Sequence, residues 1–327
     1  MDHQAPVTEG GRSLDRAEAA GGTKPLSADT AWRVPVLTTG PASRRRCTAG
    51  GRTATGPLPR RGSPRGGHRS TVAPVPGILL AVLVGLAVCQ AALFLTTVVL
   101  HRALAHKSIT IGRGPYFVCR ILLWITTGIR PRQWAAVHRR HHAFTDVQGD
   151  PHSPQLEGFS WVLFGNVYLY RKVARDGVTV ARYARDLPPD RWDRVLFDHA
   201  LLGLGIGVGL LVLLFWGNWP LALIAAAVHV VSYLLLNAAV NAVGHYVGDR
   251  PFTGFATNNQ WLAWLTAGEG LHGNHHAAPT SARLAFKGRE IDPGWWVISL
   301  GRRLGMVRVR HQELRIKASA LRAPELV

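Results

Sequence analysis

Nine histidines in a chain of 327 residues fall at spacings that could hold metal ions. His101 and His106 bracket the string Arg-Ala-Leu-Ala. His138-Arg-Arg-His141-His142 follows, and His272-Gly-Asn-His275-His276 stands nearer the C-terminal end. The ninth, His245, comes four residues after Asn241. Residues three and four apart share a helix face, so each His-x-x-His-His string is expected to present three imidazoles in one direction. Asn241 and His245 align in the same way. Nine imidazoles exceed what one metal can take, and two metals with four or five nitrogens each is the natural count. Neutral imidazole suits iron, zinc and copper. Zinc would give hydrolysis, whereas oxidative work needs a redox metal, and spacing alone does not choose. His101 and His106 form the weakest pair, because five residues turn an ideal helix through about 140°.

The remaining polar residues are read more plainly. His229, deep in an apolar run, is expected to hydrogen-bond to a neighbouring helix. His199 marks a span boundary, and His3, His68 and His311 are read as solvent residues. Glu269-Gly-Leu-His272 matches the Glu-x-x-His element of carboxylate-bridged dimetal bundles, which need two such elements and two further glutamates. There is no second copy, so Glu269 is expected to orient an imidazole by hydrogen bonding, as are Asp150 and His152. No catalytic residue beyond the metal ligands is expected. Cys47, Cys89 and Cys119 include no Cys-x-x-Cys, which excludes a thiolate zinc site and an iron–sulfur cluster and fits a reducing compartment.

The elements that must position these groups are apolar helices. Hydrophobic residues make up 47% of the chain and charged residues only 17%, with 38 Lys and Arg against 19 Asp and Glu. Long apolar runs direct that positive excess to a membrane surface and exclude a nucleic-acid partner. Pro76 to Leu100 would reach roughly 37 Å as a helix, enough to cross a bilayer. Pro115 to Ile129 is shorter and carries Arg120, as suits an interfacial or protein-buried helix. Ala200 to Trp216 and Pro220 to Val243 form a helical hairpin, so the arginine-rich segments before and after it lie on one side of the membrane. The positive-inside rule makes that side the cytoplasm. The expected fold is thus an all-α, integral-membrane helical bundle of three to four spans, with a cytoplasmic helical cap holding a histidine-rich dimetal site. Residues 1–73, rich in Gly, Arg, Pro, Ser and Thr, read as a disordered basic leader. Residues 74–317 form the membrane domain and 318–327 a C-terminal tail. Trp134, Trp261 and Trp264 are candidate linings for a substrate tunnel.

These strings resemble the membrane fatty acid desaturases, specifically the acyl-CoA Δ9 (stearoyl-CoA) group. The resemblance is carried by His101-Arg-x-x-x-His106, Trp134-x-x-x-His138-Arg-Arg-His141-His142, and Gly149-Asp150-Pro151-His152. It continues through Asn241-x-x-x-His245, Gly268-Glu269-Gly270-x-His272-x-x-His275-His276, and Ser281-Ala282-Arg283 followed by Glu290-Ile291-Asp292. It covers roughly residues 76 to 317. It implies a four-helix membrane architecture with a diiron centre (two Fe2+) whose nine ligands are the histidines above, Asn241 holding a metal-bound water. The implied reaction is the dioxygen-dependent insertion of a cis double bond into a long acyl chain carried as acyl-CoA or acyl-lipid. Two electrons would come from an external ferredoxin- or cytochrome-type donor with its reductase. The location implied is a bacterial-type cell membrane, active site facing the cytoplasm. The chain departs from the family in having Gly273 where many relatives carry asparagine, and one apolar run before His101 where the family has two spans. Either Pro76 to Leu100 bends into a short hairpin, or the N-terminus lies outside. The leader is then expected not to be native, with translation starting near Val72 or Val75. Rival readings are a lipid hydroxylase on the same scaffold, a membrane metal transporter, and a lipid or metal sensor.

Overall fold

A computed structural model of the chain describes residues 75–311 and 315–321. The expected leader over residues 1–73, with His3 and His68, lies outside the described residues, as do residues 322–327 of the tail. Helix α1 (Val75–Leu95) runs without interruption into a π-helix, Thr96–Ala105. The hairpin alternative for Pro76 to Leu100 is therefore not adopted, because no turn breaks this helix. After β1 (Ile109–Ile111) come α2 (Arg113–Thr127), α3 (Pro131–Ala143), α4 (Pro154–Glu157), α5 (Phe159–Ala174) and α6 (Gly177–Tyr183). The apolar hairpin follows as α7 (Ala200–Leu214) and α8 (Trp219–Ala242). The cap is completed by α9 (Gln260–Leu265), α10 (His272–Ala277), α11 (Pro293–Arg303) and β2 (Val307–Val309).

Local chemistry sets several of these boundaries. Proline stands in the first turn of α3, α4, α8 and α11, where its missing N–H costs nothing. The Asp292 side chain caps α11 by accepting from the Trp295 N–H at 3.0 Å. Between α7 and α8 the chain reverses through Trp216 and Gly217, both at positive φ. Trp216 is 97% exposed, a position that suits an aromatic anchor at a membrane surface.

Helix α1 packs along α8, closely enough at Gly85 that a Cβ would meet the Ala225 carbonyl oxygen at 2.5 Å. Tyr233 of α8 buries against Cys89, Ala92 and Leu93 of α1. Pro76–Ala105 and Trp219–His245 are long and apolar enough to cross a membrane, and Ala200–Leu214 is apolar but shorter. Their outward faces expose Leu79, Leu83, Leu210, Leu213, Val231 and Leu234, a contiguous apolar surface of the kind lipid covers. The all-α expectation needs one amendment. β1 and β2 pair as a two-stranded antiparallel ribbon, Ile109 opposite Val309 and Ile111 opposite Val307, tying the start of the cap to its end.

Candidate metal centre

The π-helix explains how His101 and His106 act as a pair. Winding i to i+5 brings the His106 N–H onto the His101 carbonyl at 3.1 Å, so residues that an ideal α-helix would splay apart stand one turn apart. Two guanidiniums hold this stretch. Arg139 of α3 donates to the Leu104 and Ala105 carbonyls at 2.7 and 2.8 Å, and reaches Asp186 with its other face. Arg102, buried, forms a bidentate pair with Asp292 at 2.8 and 3.0 Å and also donates to the Ala282 carbonyl.

The nine histidines converge as two adjoining groups. One gathers His101, His106, His138, His142 and His275, and the other His141, His245, His272 and His276; within each, the ligand atoms lie within 4.8 Å of one another. In the first group Nε2 atoms approach at 3.0 Å for His101 and His275, and at 2.8 Å for His106 and His138 and for His142 and His275. In the second, the Nε2 of His272 lies 3.0 Å from that of His245, and the Nε2 of His276 lies 3.2 Å from those of His141 and His272. The groups meet where the His142 and His276 rings stack, centroids 4.3 Å apart.

This arrangement corrects the expectation that each His-x-x-His-His string points one way. Its first and last histidines, four apart, share a group, and the middle one turns to the other. α3 thus gives His138 and His142 to one group and His141 to the second, and α10 gives His272 and His276 to the second and His275 to the first. Each string links both groups.

Carboxylates orient three of the rings. His101 Nδ1 lies 2.8 Å from Glu269 Oε1, which also accepts from Thr97 Oγ1. His141 Nδ1 lies 2.9 Å from Asp150 Oδ1, and His245 Nδ1 lies 2.7 Å from Asp146 Oδ2. An Nδ1–H donated to a carboxylate leaves the Nε2 lone pair facing inward. Burial, then the neighbouring imidazoles, holds His106, His138, His142, His272, His275 and His276 well below the ordinary histidine pKa. Burial opposes ionisation of Asp150, but its bond to His141, the pull of the His141 and His152 rings and the bond from the Asp146 N–H together outweigh that and bring the carboxyl to about 2. Glu269 behaves alike: burial works against its charge, and His101 draws its pKa below the usual value.

Asp146 was not anticipated, although it carries a readable signal as the first acidic residue after Asp29. Its other oxygen accepts from Ser153 Oγ at 2.7 Å. A cavity of about 80 Å³ opens beside the groups, bordered by His101, Trp134, His138, His152, Asn241 and His272 among others. Trp134 stacks on His138 at 4.9 Å and 11°. Trp261, 82% exposed, and Trp264, packed edge-on against Trp296, do not border that cavity. His229 meets the expectation of an interhelical bond, its Nε2 lying 2.7 Å from the Thr126 carbonyl.

The donor set fits metal. With Nδ1 turned to a carboxylate, His101, His141 and His245 present bare Nε2 lone pairs to two foci at which the other rings' nitrogens also crowd. Cations at the two foci would satisfy them, and all-imidazole donors suit borderline transition metals. A helical chain with two long apolar helices and two adjoining imidazole groups at their shared end is a membrane-associated histidine-rich metalloprotein with a dimetal-type site. The family model for fatty acid desaturases matches residues 76–286, and the chain belongs to that family. It is 36% identical over 220 residues to an acyl-CoA C20 Δ5-desaturase of Anemone leveillei, covering 65% of this chain and 68% of the relative. It is 32% identical over 211 residues to an sn-2 palmitoyl-lipid 9-desaturase of a Nostoc species, covering 64% and 73%. A Synechocystis sn-1 stearoyl-lipid 9-desaturase is 28% identical over 210 residues, 64% of each chain. The relatives thus divide between Δ5 acyl-CoA and Δ9 acyl-lipid enzymes, so the narrower stearoyl-CoA assignment does not follow from them.

Proposed function

We propose that this chain is a Δ9 acyl desaturase, using two Fe2+ ions and dioxygen to place a cis double bond in a saturated chain carried as acyl-CoA or acyl-lipid. The observation that carries the reading is the convergence of five and four imidazole nitrogens on two adjoining foci. His101, His106, His138, His142 and His275 would hold one iron. His141, His245, His272 and His276, with Asn241 through a water, would hold the other. Bound there, the iron pair supplies the dioxygen-dependent removal of two hydrogens from adjacent methylenes.

The protein's own residues govern position and dryness. Glu269, Asp150 and Asp146 fix the ring orientations, and Trp134 walls the cavity against His138. The acyl chain enters between the spans toward the cavity bordered by Trp134, Asn166, Tyr170 and Asn237, and its depth of penetration selects the carbons presented to the metals, which makes regiospecificity a matter of geometry. Electrons come from an external ferredoxin- or cytochrome-type carrier. Helices α1, α7 and α8 cross the membrane, and the arginine-rich cap faces the cytoplasm. The end of α1 away from the histidines then lies on the opposite side.

The Δ9 position is favoured by the Nostoc and Synechocystis relatives, both 9-desaturases, and Δ5 is the second reading, from the Anemone relative. Expression of the full chain in a desaturase-deficient host, followed by gas chromatography and mass-spectrometric location of the double bond, decides between them. A Δ9 monoene is the expected product. A Δ5 product overturns the regiochemistry, and hydroxylated lipid overturns desaturation.

A further inference from the structure

Among the described residues His152, expected from the sequence to orient an imidazole by hydrogen bonding, has no partner for either ring nitrogen. His152 is 5% exposed, and both its Nδ1 and Nε2 are buried without a hydrogen bond. Its backbone N–H donates to Asp150 Oδ1 at 3.1 Å, so its turn is tied to the carboxylate that orients His141. The His152 ring lies 4.9 Å from that of His141 and borders the cavity of about 80 Å³ together with Asn166, Asn241 and His272. Asn166, from α5, buries an Oδ1 that likewise has no partner.

Unpaired buried polar atoms are rare and costly. Here they border a space roomy and polar enough to hold ordered water. The ring nitrogens of His152 group with His141 and Asp150 but not with His245, His272 and His276, so His152 is placed beside the four-imidazole group and not within it. That group is one imidazole short of its neighbour, and His152, with both ring nitrogens unpaired, stands against its His141.

We propose that His152 is a positioning residue for the four-imidazole group: with Asn166 and Asn241 it holds an ordered water in the cavity against that group. The inference rests on the dimetal reading above. Neutral imidazole donates from one nitrogen and accepts at the other, which lets His152 fix both the place and the orientation of such a water. Asn166 Oδ1, also bordering the cavity, accepts from the same water cluster.

Cobalt(II) titration of the purified full chain in detergent, with chelator competition, tests this without relying on turnover. Wild type takes up two equivalents. His152→Ala is expected to weaken the second equivalent by about 10-fold or more and to shift its visible absorption, leaving the first unchanged. His152→Gln, which also donates and accepts, is expected to recover most of the lost affinity. Asn166→Leu reads the same water from another element, and it stands in should His152→Ala not fold. Variants that titrate like wild type, or a glutamine that recovers nothing, overturn the inference. Wild type binding fewer than two equivalents overturns the dimetal reading on which it rests.

Discussion

Five imidazoles meet at one half of the centre and four at the other, although both halves draw on the same two His-x-x-His-His strings. The five-membered group takes its extra rings from the π-helix and is supported by Glu269 and Thr97. The four-membered group takes His245 from the end of α8, relies on Asp146 and Asp150, and adjoins the cavity bordered by Asn241 and His152. The difference teaches that one half gathers a fifth protein nitrogen, while the other, with His152 beside it, has a place left for something small; the cavity itself borders rings of both. The shared strings mean that loss of a ring from either one is felt through a helix that serves both halves.

The largest expected effect breaks that sharing. His141→Ala removes a ring of the four-membered group from the helix that also carries His138 and His142, and is expected to abolish unsaturated product in a desaturase-deficient host. Retained product would show that the ring is not needed. Next come the carboxylates. Glu269→Gln is expected to loosen the metal of the five-membered half, and Asp146→Asn that of the four-membered half, each by about 10- to 100-fold in chelator competition. Equal loss from both halves in both variants would erase the distinction between them.

Acid tests the two halves together. Histidines held neutral by burial bind fewer protons folded than unfolded, so the metal-free protein loses stability as pH falls below the ordinary histidine value. His152, pushed down to about 3 by burial and by His141, adds to the same trend. Asp150 contributes in the same direction only at much lower pH, as its carboxyl protonates near 2. Thermal unfolding of chelated protein should therefore occur at lower temperature at pH about 5 than at about 7.5, and a flat profile would contradict the burial. The smallest effects separate the tryptophans. Trp134→Ala, which unstacks His138, should lower turnover, whereas Trp261→Ala, on an exposed surface, should change stability by no more than about 0.5 kcal/mol.

Much of the centre was legible because helical spacing and histidine content are local properties. The strings around His141 and His275, and the pair Asn241 and His245, could be placed at the ends of apolar runs before any geometry was known. Three features were not legible, each for a physical reason. The π-winding that pairs His101 with His106 has no composition of its own and depends on Arg139 and Arg102 reaching it from elsewhere in the chain. The division of each string between two groups is a matter of side-chain direction, which sequence spacing leaves open. The ribbon of β1 and β2 joins strands of three residues from opposite ends of the cap, too short for an alternating pattern to appear. Trp134 borders the cavity and Trp261 and Trp264 do not, a distinction sequence does not carry, since an aromatic residue near a membrane surface looks the same whether it lines a path or faces outward.

The buried pair of Arg102 with Asp292 bears on how the protein is made. Arg102 leaves the ribosome long before its counterion, and its guanidinium is 1% exposed in the finished fold. A nascent chain that has already delivered every histidine through His276 still holds that cation without its carboxylate, a strongly unfavourable state for a buried charge. The histidine pocket is therefore expected to close only once synthesis has passed Asp292.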